Sequence, residues 1–154
     1  MLFLMFRAGE DAYVLEAGRI EEILPLVRIR TLPDSARSSV GIVHHRDMPL
    51  PVVDLSALLL GRPSRQRLST RIVLVSAEAM DDPLRQFGLV VEEATQLLQL
   101  DPAGFVPPGF ARDAAPYLGP IIASAHGLLH RIEPDRLLAH AYGGSPLPQP
   151  AGAA

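Results

Sequence analysis

The densest group of titratable side chains is the run of His44, His45, Arg46 and Asp47. Imidazole and carboxylate groups can bind a metal ion or move protons during catalysis. Neighbouring residues of a strand point to opposite faces of a sheet, however, so His44 and His45 cannot easily share one ligand. No third ligand stands at a recognisable spacing. We interpret the run as a turn between two strands, with a metal-dependent hydrolase as an alternative hypothesis.

Two other pairs of titratable residues are also poor candidates for chemistry. If residues 127–132 are extended, His126 and His130 share a face but stand roughly 13 Å apart, which is too far for one metal ion. We therefore expect both to be surface histidines. Glu92 and Glu93 resemble paired catalytic carboxylates, but adjacent side chains on a strand diverge. We interpret this pair as a solvated strand end.

The sequence lacks the residues that several classes of enzyme require. The sequence has no Cys, and all 14 basic residues are Arg, so thiol nucleophiles, cysteine-bound metals and lysine-based catalysis are excluded. Gly-x-Ser-x-Gly and Gly-x-Gly-x-x-Gly motifs are absent. A net charge of −3 and an aromatic content of 5% argue against nucleic acid. We expect no catalysis, no metal and no cofactor, and a protein that binds other proteins.

The composition predicts one mainly β domain. The chain has 154 residues and is 48% hydrophobic, while its 15 Pro and 12 Gly favour short strands bounded by turns. We place the domain at residues 1–142 and expect a disordered Gly- and Pro-rich tail at 143–154. The apolar start, Met1 to Phe6, has no basic region before it, so we interpret it as a strand and expect a cytoplasmic protein without a membrane span.

The local patterns predict short elements. The first are a hairpin of 2–7 and 12–16, a two-turn helix over 17–24 ended by Pro25, and strands at 26–30, 40–43 and 50–53. Asp54 is predicted to cap a helix over 55–60 that ends at Gly61. Strands buried on both faces follow at 71–76 and 87–91, then strands at 95–100, 117–123 and 127–132, and a helix at 134–140.

The segment from Gly41 to Leu55, GIVHHRDMPLPVVDL, resembles the signature of the CheW-type chemotaxis coupling proteins. Further segments with the same resemblance are FRAGEDAYVLEAGRIEEIL near the start, GLVVEEA from Gly88, and residues 127–138. Together these segments span roughly residues 1–139 in the order of the family. A chance match would not keep that order over almost the whole chain.

The resemblance implies a fold, a function and partners. The fold would be two small five-stranded SH3-like or OB-like β-barrels around a common core, with a few short helices and the second barrel mainly at residues 70–125. Such proteins are adaptors without enzymatic activity. They couple the cytoplasmic tip of a methyl-accepting chemotaxis receptor to the regulatory domain of a CheA-type histidine kinase.

The resemblance also implies site residues. Ile20, Gly41, Arg46 and Asp47 are candidates for receptor coupling, and Glu22 and Ile23 for kinase binding along an apolar helix edge. The chain departs from the signature at two positions, where His44 replaces an Asn and Asp47 replaces a Gly. Asp47 adds a charge to the turn and removes a residue that tolerates positive φ.

Two further hypotheses concern the type of system and a different function. The strings STRIVLV from Ser69 and APYLGP from Ala115 resemble coupling proteins of Wsp-type surface-sensing systems. The alternative function is a small-molecule-binding β-barrel sensor. Its ligand would lie in the groove between the barrels, with the Pro-rich loop at 107–116 as a lid.

Overall fold

Ten strands and two short helices make up the part of the chain that the computed structural model describes, which is residues 1–31, 39–79, 82–108 and 115–142. The strands are β1 (Leu2–Ala8), β2 (Asp11–Glu16), β3 (Ile20–Pro25), β4 (Arg30–Thr31), β5 (Val40–His45), β6 (Met48–Asp54), β7 (Arg71–Ala79), β8 (Asp82–Gln99), β9 (Leu118–Ser124) and β10 (Gly127–Ile132). The helices are α1 (Leu55–Leu60) and α2 (Pro134–Tyr142). The expectation of a mainly β protein is confirmed.

The strands form two units that share the 18-residue strand β8. In the first unit, strand pairing gives the order β4-β5-β6-β8-β7-β3; in the second unit it gives β8-β1-β2-β10-β9. The change of partner coincides with an irregularity in β8, where Glu93 has a φ of 50° and the pairing with β1 shifts register. One strand therefore runs through both units and connects their sheets rigidly.

The predicted closure of these units into barrels is wrong. In the part of the chain that is described, β3 pairs with β7 and the two-residue β4 pairs with β5, but β3 and β4 do not pair with each other. Residues 26–29 connect the two strands without sheet pairing. Pro25 has no N–H to donate at the end of β3, which favours an edge there. The first unit is thus a curled, open sheet.

Three apolar clusters lie on the two sides of these curled sheets. Along β1, Phe3 and Met5 enter the cluster of the second unit, while Leu4 and Phe6 enter a central cluster common to both units. The strands of the first unit alternate in the same way between the central cluster and a cluster of their own. Both faces are buried because successive side chains point to opposite sides. This confirms the prediction for 71–76 and 87–91, and also the expected common core.

The predicted helix over 17–24 is wrong. The chain forms a single 3-10 turn at Ala17–Arg19 and then strand β3, in which half-buried and exposed side chains alternate. A two-turn helix satisfies few of its own backbone groups, whereas pairing with β7 satisfies those of β3. The predicted strand at 26–30 is reduced to Arg30–Thr31, and 95–100 is the continuation of β8.

Capping and turn residues behave as the sequence predicts. Asp54 Oδ1 accepts a hydrogen bond from the backbone N–H of Ala57 at the start of α1, and Gly61 ends the helix with a φ of 76°. Gly9, with a φ of 63°, lies in the turn between β1 and β2. The predicted tail at 143–154 and most of the loop at 107–116 lie outside the described residues.

Glu92 is not a solvated strand end. Its side chain is buried and accepts hydrogen bonds from the backbone N–H of Arg65 at 2.6 Å and from the Arg62 guanidinium at 3.2 Å. Burial opposes ionisation, but these donors outweigh it and hold the pKa of Glu92 below its usual value. Ser64 donates to Asp54 from its backbone and its hydroxyl. Two carboxylates thus fix the connector, residues 61–70, on the sheets.

Candidate protein-interaction site

The cluster of titratable residues found in the sequence forms the hairpin turn between β5 and β6. His45 pairs with Met48 in the ladder, which leaves Arg46 and Asp47 as a two-residue loop. Both loop residues have positive φ, 50° for Arg46 and 62° for Asp47, as a type I′ turn requires. The turn is therefore kept although Asp47 stands where the family has glycine. Arg46 and Asp47 both adopt the left-handed conformation, which costs free energy for residues that have a Cβ.

The two histidines point to opposite faces, as predicted. The side chain of His44 is 77% exposed and stands 3.8 Å from Asp47 Oδ1. The side chain of His45 is 18% exposed and faces β3, where its Nε2 lies 3.8 Å from Glu22 Oε2. Within the described ranges no cluster of three or more potential metal ligands is present.

An ion pair joins the hairpin turn to the edge strand β3. Arg46 Nη2 donates to Glu22 Oε2 at 3.1 Å, so one carboxylate oxygen faces both Arg46 and His45. The family resemblance implied receptor coupling for Arg46 and kinase binding for Glu22. The structure brings these two side chains into direct contact, although they are 24 positions apart in the chain.

The apolar residues of β3 do not form one edge. Ile20 is half-buried and packs against the central cluster, while the side chain of Ile23 is 44% exposed. A register shift between Ile20 and Glu22 accompanies this change. The predicted helix edge is therefore wrong in its geometry. Of the two isoleucines, Ile23 is the one that is open to a partner.

Gly41 lies inside the first unit, at the opposite end of β5 from the turn. A Cβ atom at this position would stand 2.5 Å from Ile29 Cγ2 and 2.8 Å from the carbonyl oxygen of Arg30. Both distances are shorter than a carbon atom tolerates. Gly41 is thus needed for the close approach of residues 29–30 to β5, and the structure separates it from the exposed patch around Arg46.

The remaining histidine pair is split between the surface and the interior. His126 is exposed, but His130 is half-buried and stacks on Tyr13 with ring centroids 6.3 Å apart. The prediction of a surface histidine is therefore wrong for His130. Burial raises the pKa of Tyr13 to about 12, with smaller contributions from Asp11 and Tyr117. These rings are part of the packing between β2 and β10.

Comparison with known protein families agrees with the resemblance seen in the sequence, and the match extends over nearly the whole chain. The CheW-like domain family matches residues 2–141. The chain belongs to the CheW-like family. Family members are scaffold and adaptor proteins of chemosensory signalling. The resemblance seen in the signature segment is confirmed.

A solved structure supports the fold of this CheW-like chain. The scaffolding protein TtCheW from Thermoanaerobacter tengcongensis is 21% identical, with a TM-score of 0.75, and the match covers 88% of this chain and 86% of that protein. The comparisons do not support the sensor hypothesis, and the Wsp-type subtype stays a prediction. Among the described residues, no helix is long and apolar enough to span a membrane.

The family signature has a simple structural meaning in this CheW-like chain. Residues 41–55 cover most of β5, its turn, β6 and the first residue of α1. Gly41 and Asp54 hold the two ends of the segment in place, and Arg46 is presented at the tip. The sequence did not reveal that Glu22 lies against both Arg46 and His45. Nothing in the local pattern shows that β3 passes beside the turn.

Proposed function

We propose that this protein is a non-enzymatic adaptor that couples methyl-accepting chemoreceptors to a CheA-type histidine kinase in the cytoplasm. The observation that carries the proposal is the family match over residues 2–141. The geometry is consistent with it, because Arg46 and Glu22 form an ion pair at the hairpin turn, and Ile23, the next residue of β3, is exposed. The CheW-like fold then acts by presenting these residues to its two partners.

The Arg46–Glu22 ion pair suits a surface that exchanges partners. The side chain of Arg46 is 75% exposed, and exposed ion pairs contribute only about 0–1 kcal/mol. A carboxylate from a receptor can therefore attract Arg46 at little cost to the fold. Glu22 would meanwhile keep the guanidinium directed along the edge of β3. We infer that Arg46 is the receptor contact and that Glu22 is a positioning residue beside it.

Ile23 supplies the apolar part of the kinase contact. An exposed isoleucine that loses its remaining contact with water contributes up to about 1.5 kcal/mol to binding. One such side chain beside an ion pair fits an interface of modest affinity, near micromolar, whose strength grows through the many copies in an array. Coupling then depends on assembly of the array more than on any single contact.

Calorimetric titration with the kinase regulatory domain and with the receptor tip tests this proposal. We expect micromolar binding to both. Arg46→Ala should weaken receptor binding about tenfold while kinase binding persists, and Ile23→Ser should do the reverse. Leu128→Ser is the matched apolar control, since Leu128 is 69% exposed on β10 in the other unit. Arg136→Ala, at an exposed arginine of α2, controls for loss of charge.

The outcomes separate cleanly. Binding to neither partner would refute the adaptor function. Binding to both partners with unchanged affinity in Arg46→Ala and Ile23→Ser would leave the adaptor function standing and refute the assignment of these residues. If Leu128→Ser and Arg136→Ala weaken binding as much as Ile23→Ser and Arg46→Ala do, that result would also refute the assignment of Arg46 and Ile23.

A further inference from the structure

His45 is the last residue of β5, and its side chain lies on the inner face of the first unit. It shares that face with Val43, which is two residues earlier in the strand and belongs to the apolar cluster of this unit. The side chain of His45 is 18% exposed, and its Nε2 atom is buried. That atom has no hydrogen-bond partner in the described part of the chain. A buried polar atom without a partner is uncommon and costs free energy.

Glu22 is the carboxylate that faces this imidazole. It lies on the same face of β3 as Leu24, which packs against the same apolar cluster, and its side chain is 36% exposed. Glu22 Oε2 stands 3.8 Å from His45 Nε2, which is longer than a hydrogen bond. Protonation of the imidazole puts an N–H on both ring nitrogens. A movement of about 1 Å would then bring the carboxylate within hydrogen-bond distance of Nε2.

The neighbouring strands offer apolar side chains to this pair. Across the β5–β6 ladder, His45 is opposite Met48. Across the β3–β7 ladder, Glu22 is opposite Leu74, which belongs to the same buried cluster as Val43. Water is therefore partly excluded around the imidazole and the carboxylate, and a charge on either group is felt more strongly by the other than it would be in open solvent.

The other acidic residues nearby are directed elsewhere. Asp47, in the turn, lies beside the outward-pointing His44, with its Oδ1 atom 3.8 Å from His44 Nε2. Glu21, on β3, accepts a hydrogen bond from the side-chain amide of Gln86 on β8. Within the described ranges, Glu22 is the carboxylate that lies within ion-pair distance of His45.

The same oxygen of Glu22 also accepts from Arg46. Arg46 Nη2 donates to Oε2 at 3.1 Å, so this oxygen lies between a permanent cation and a side chain that becomes a cation only on protonation. The side chain of Arg46 is 75% exposed, so its guanidinium can exchange the carboxylate for water at little cost. His45 is mostly buried and has no such alternative. A charged His45 should therefore compete successfully for Glu22.

We propose that His45 is a proton-dependent positioning residue of the receptor contact. With neutral His45, Glu22 pairs with Arg46, and their opposite charges sum to zero. Protonated His45 takes the carboxylate, repels the neighbouring guanidinium and frees Arg46 for a receptor carboxylate, while the added proton raises the summed charge to +1. Histidine changes charge between about pH 5 and pH 8, so mild acid should strengthen receptor binding. The inference rests on the proposed function, because it adds regulation to the Arg46 contact.

A pH titration of the full chain by NMR tests the switch without any partner. Between about pH 8 and pH 5.5, the guanidinium signals of Arg46 and the carboxyl carbon signal of Glu22 should move with the same midpoint as the His45 imidazole. These movements should vanish in His45→Gln, because glutamine does not titrate. Signals of Arg46 and Glu22 that do not follow the His45 midpoint would overturn the proposal.

Two further variants show that the response belongs to these residues. His44→Gln is the matched control, because His44 is the adjacent histidine, is 77% exposed and faces Asp47. It should leave the titration of Arg46 and Glu22 unchanged, and loss of the response in this variant would contradict the role of His45. Glu22→Gln keeps His45 but removes the shared carboxylate, so Arg46 should no longer follow the imidazole. This variant tests the same step if His45→Gln does not fold.

Calorimetric titration with the receptor tip measures the consequence for coupling. At constant ionic strength, wild type and His44→Gln should bind about threefold more tightly at pH 6 than at pH 8, whereas His45→Gln should bind equally at both. The same ratio in wild type and His45→Gln would overturn the role of His45. Absence of receptor binding at both pH values would refute the proposed function, and the NMR titration would still decide whether His45 controls the Arg46–Glu22 pair.

Discussion

Replacing the buried Glu92 with glutamine should destabilise the protein in a way that depends on pH. The carboxylate accepts one bond from the backbone N–H of Arg65 and one from the Arg62 guanidinium. Bonds to charged groups contribute about 1.5–3 kcal/mol, but Arg62 can turn to water and glutamine still offers an oxygen to Arg65. We therefore expect Glu92→Gln to lower the free energy of unfolding by about 1–2 kcal/mol near neutral pH.

The sign of the pH dependence follows from the lowered pKa of Glu92. As pH falls, the unfolded chain takes up this proton first, near the ordinary carboxyl value of 4.5. The contribution of Glu92 is therefore present above that pH and is lost as pH drops through the lower folded-state pKa. Glutamine does not titrate in this range. The difference in stability between wild type and Glu92→Gln should thus shrink toward about pH 3.

Urea denaturation followed by circular dichroism measures this difference. Glu93→Gln is a matched control, because Glu93 is the neighbouring residue and is exposed. It should change the free energy of unfolding by less than about 0.5 kcal/mol. Two results would refute the reasoning: a Glu92→Gln variant as stable as Glu93→Gln at neutral pH, or a loss of stability that stays constant from about pH 7 to pH 3.

The other predictions concern close packing, turn strain and a buried phenol. Gly41→Ala should lower the free energy of unfolding by about 1–3 kcal/mol in urea melts, because its Cβ would clash with Ile29. Gly18→Ala is the control and should cost under about 1 kcal/mol, because its Cβ would stand 3.6 Å from Glu16 Oε1, an ordinary contact. Asp47→Gly should raise the free energy of unfolding by up to about 1 kcal/mol, since glycine adopts the positive φ of the turn without strain; a lower melting temperature would argue against turn strain. Tyr13 should resist ionisation until its pKa of about 12 in an ultraviolet titration of the folded protein. Its contribution to stability should be lost as pH rises above the ordinary tyrosine value of 10.0, and an ordinary titration in the folded state would contradict its burial.

Local signals predicted many individual elements correctly. The β1–β2 hairpin, the Asp54 cap with its helix, the pair β5–β6 and the separate strands β9 and β10 all follow from turn residues and apolar patterns. The family signature likewise identified the hairpin that presents Arg46. These features depend on residues that are close in the chain, so their backbone preferences and hydrogen bonds can be inferred from the sequence.

Residues 17–24 show where local reasoning fails. Ile20, Ile23 and Leu24 fit a short helix as well as a strand, because so few residues cannot separate the two periods. The backbone of this segment finds its partners in β7, about 50 residues later in the sequence. Only the assembled sheet decides between the two structures.

What the sequence by itself determined is the family, the mainly β architecture, most of the hairpins and the position of the exposed turn. The tertiary structure decided which distant side chains meet: Arg46 with Glu22, Glu92 with Arg62, and the connector with residues 26–29 around one groove. The tertiary structure also decided that β8 runs through both units and that the sheet stays open between β3 and β4. The reason is that these contacts join chain segments whose separation in sequence carries no local pattern, so they exist only once the sheets have packed.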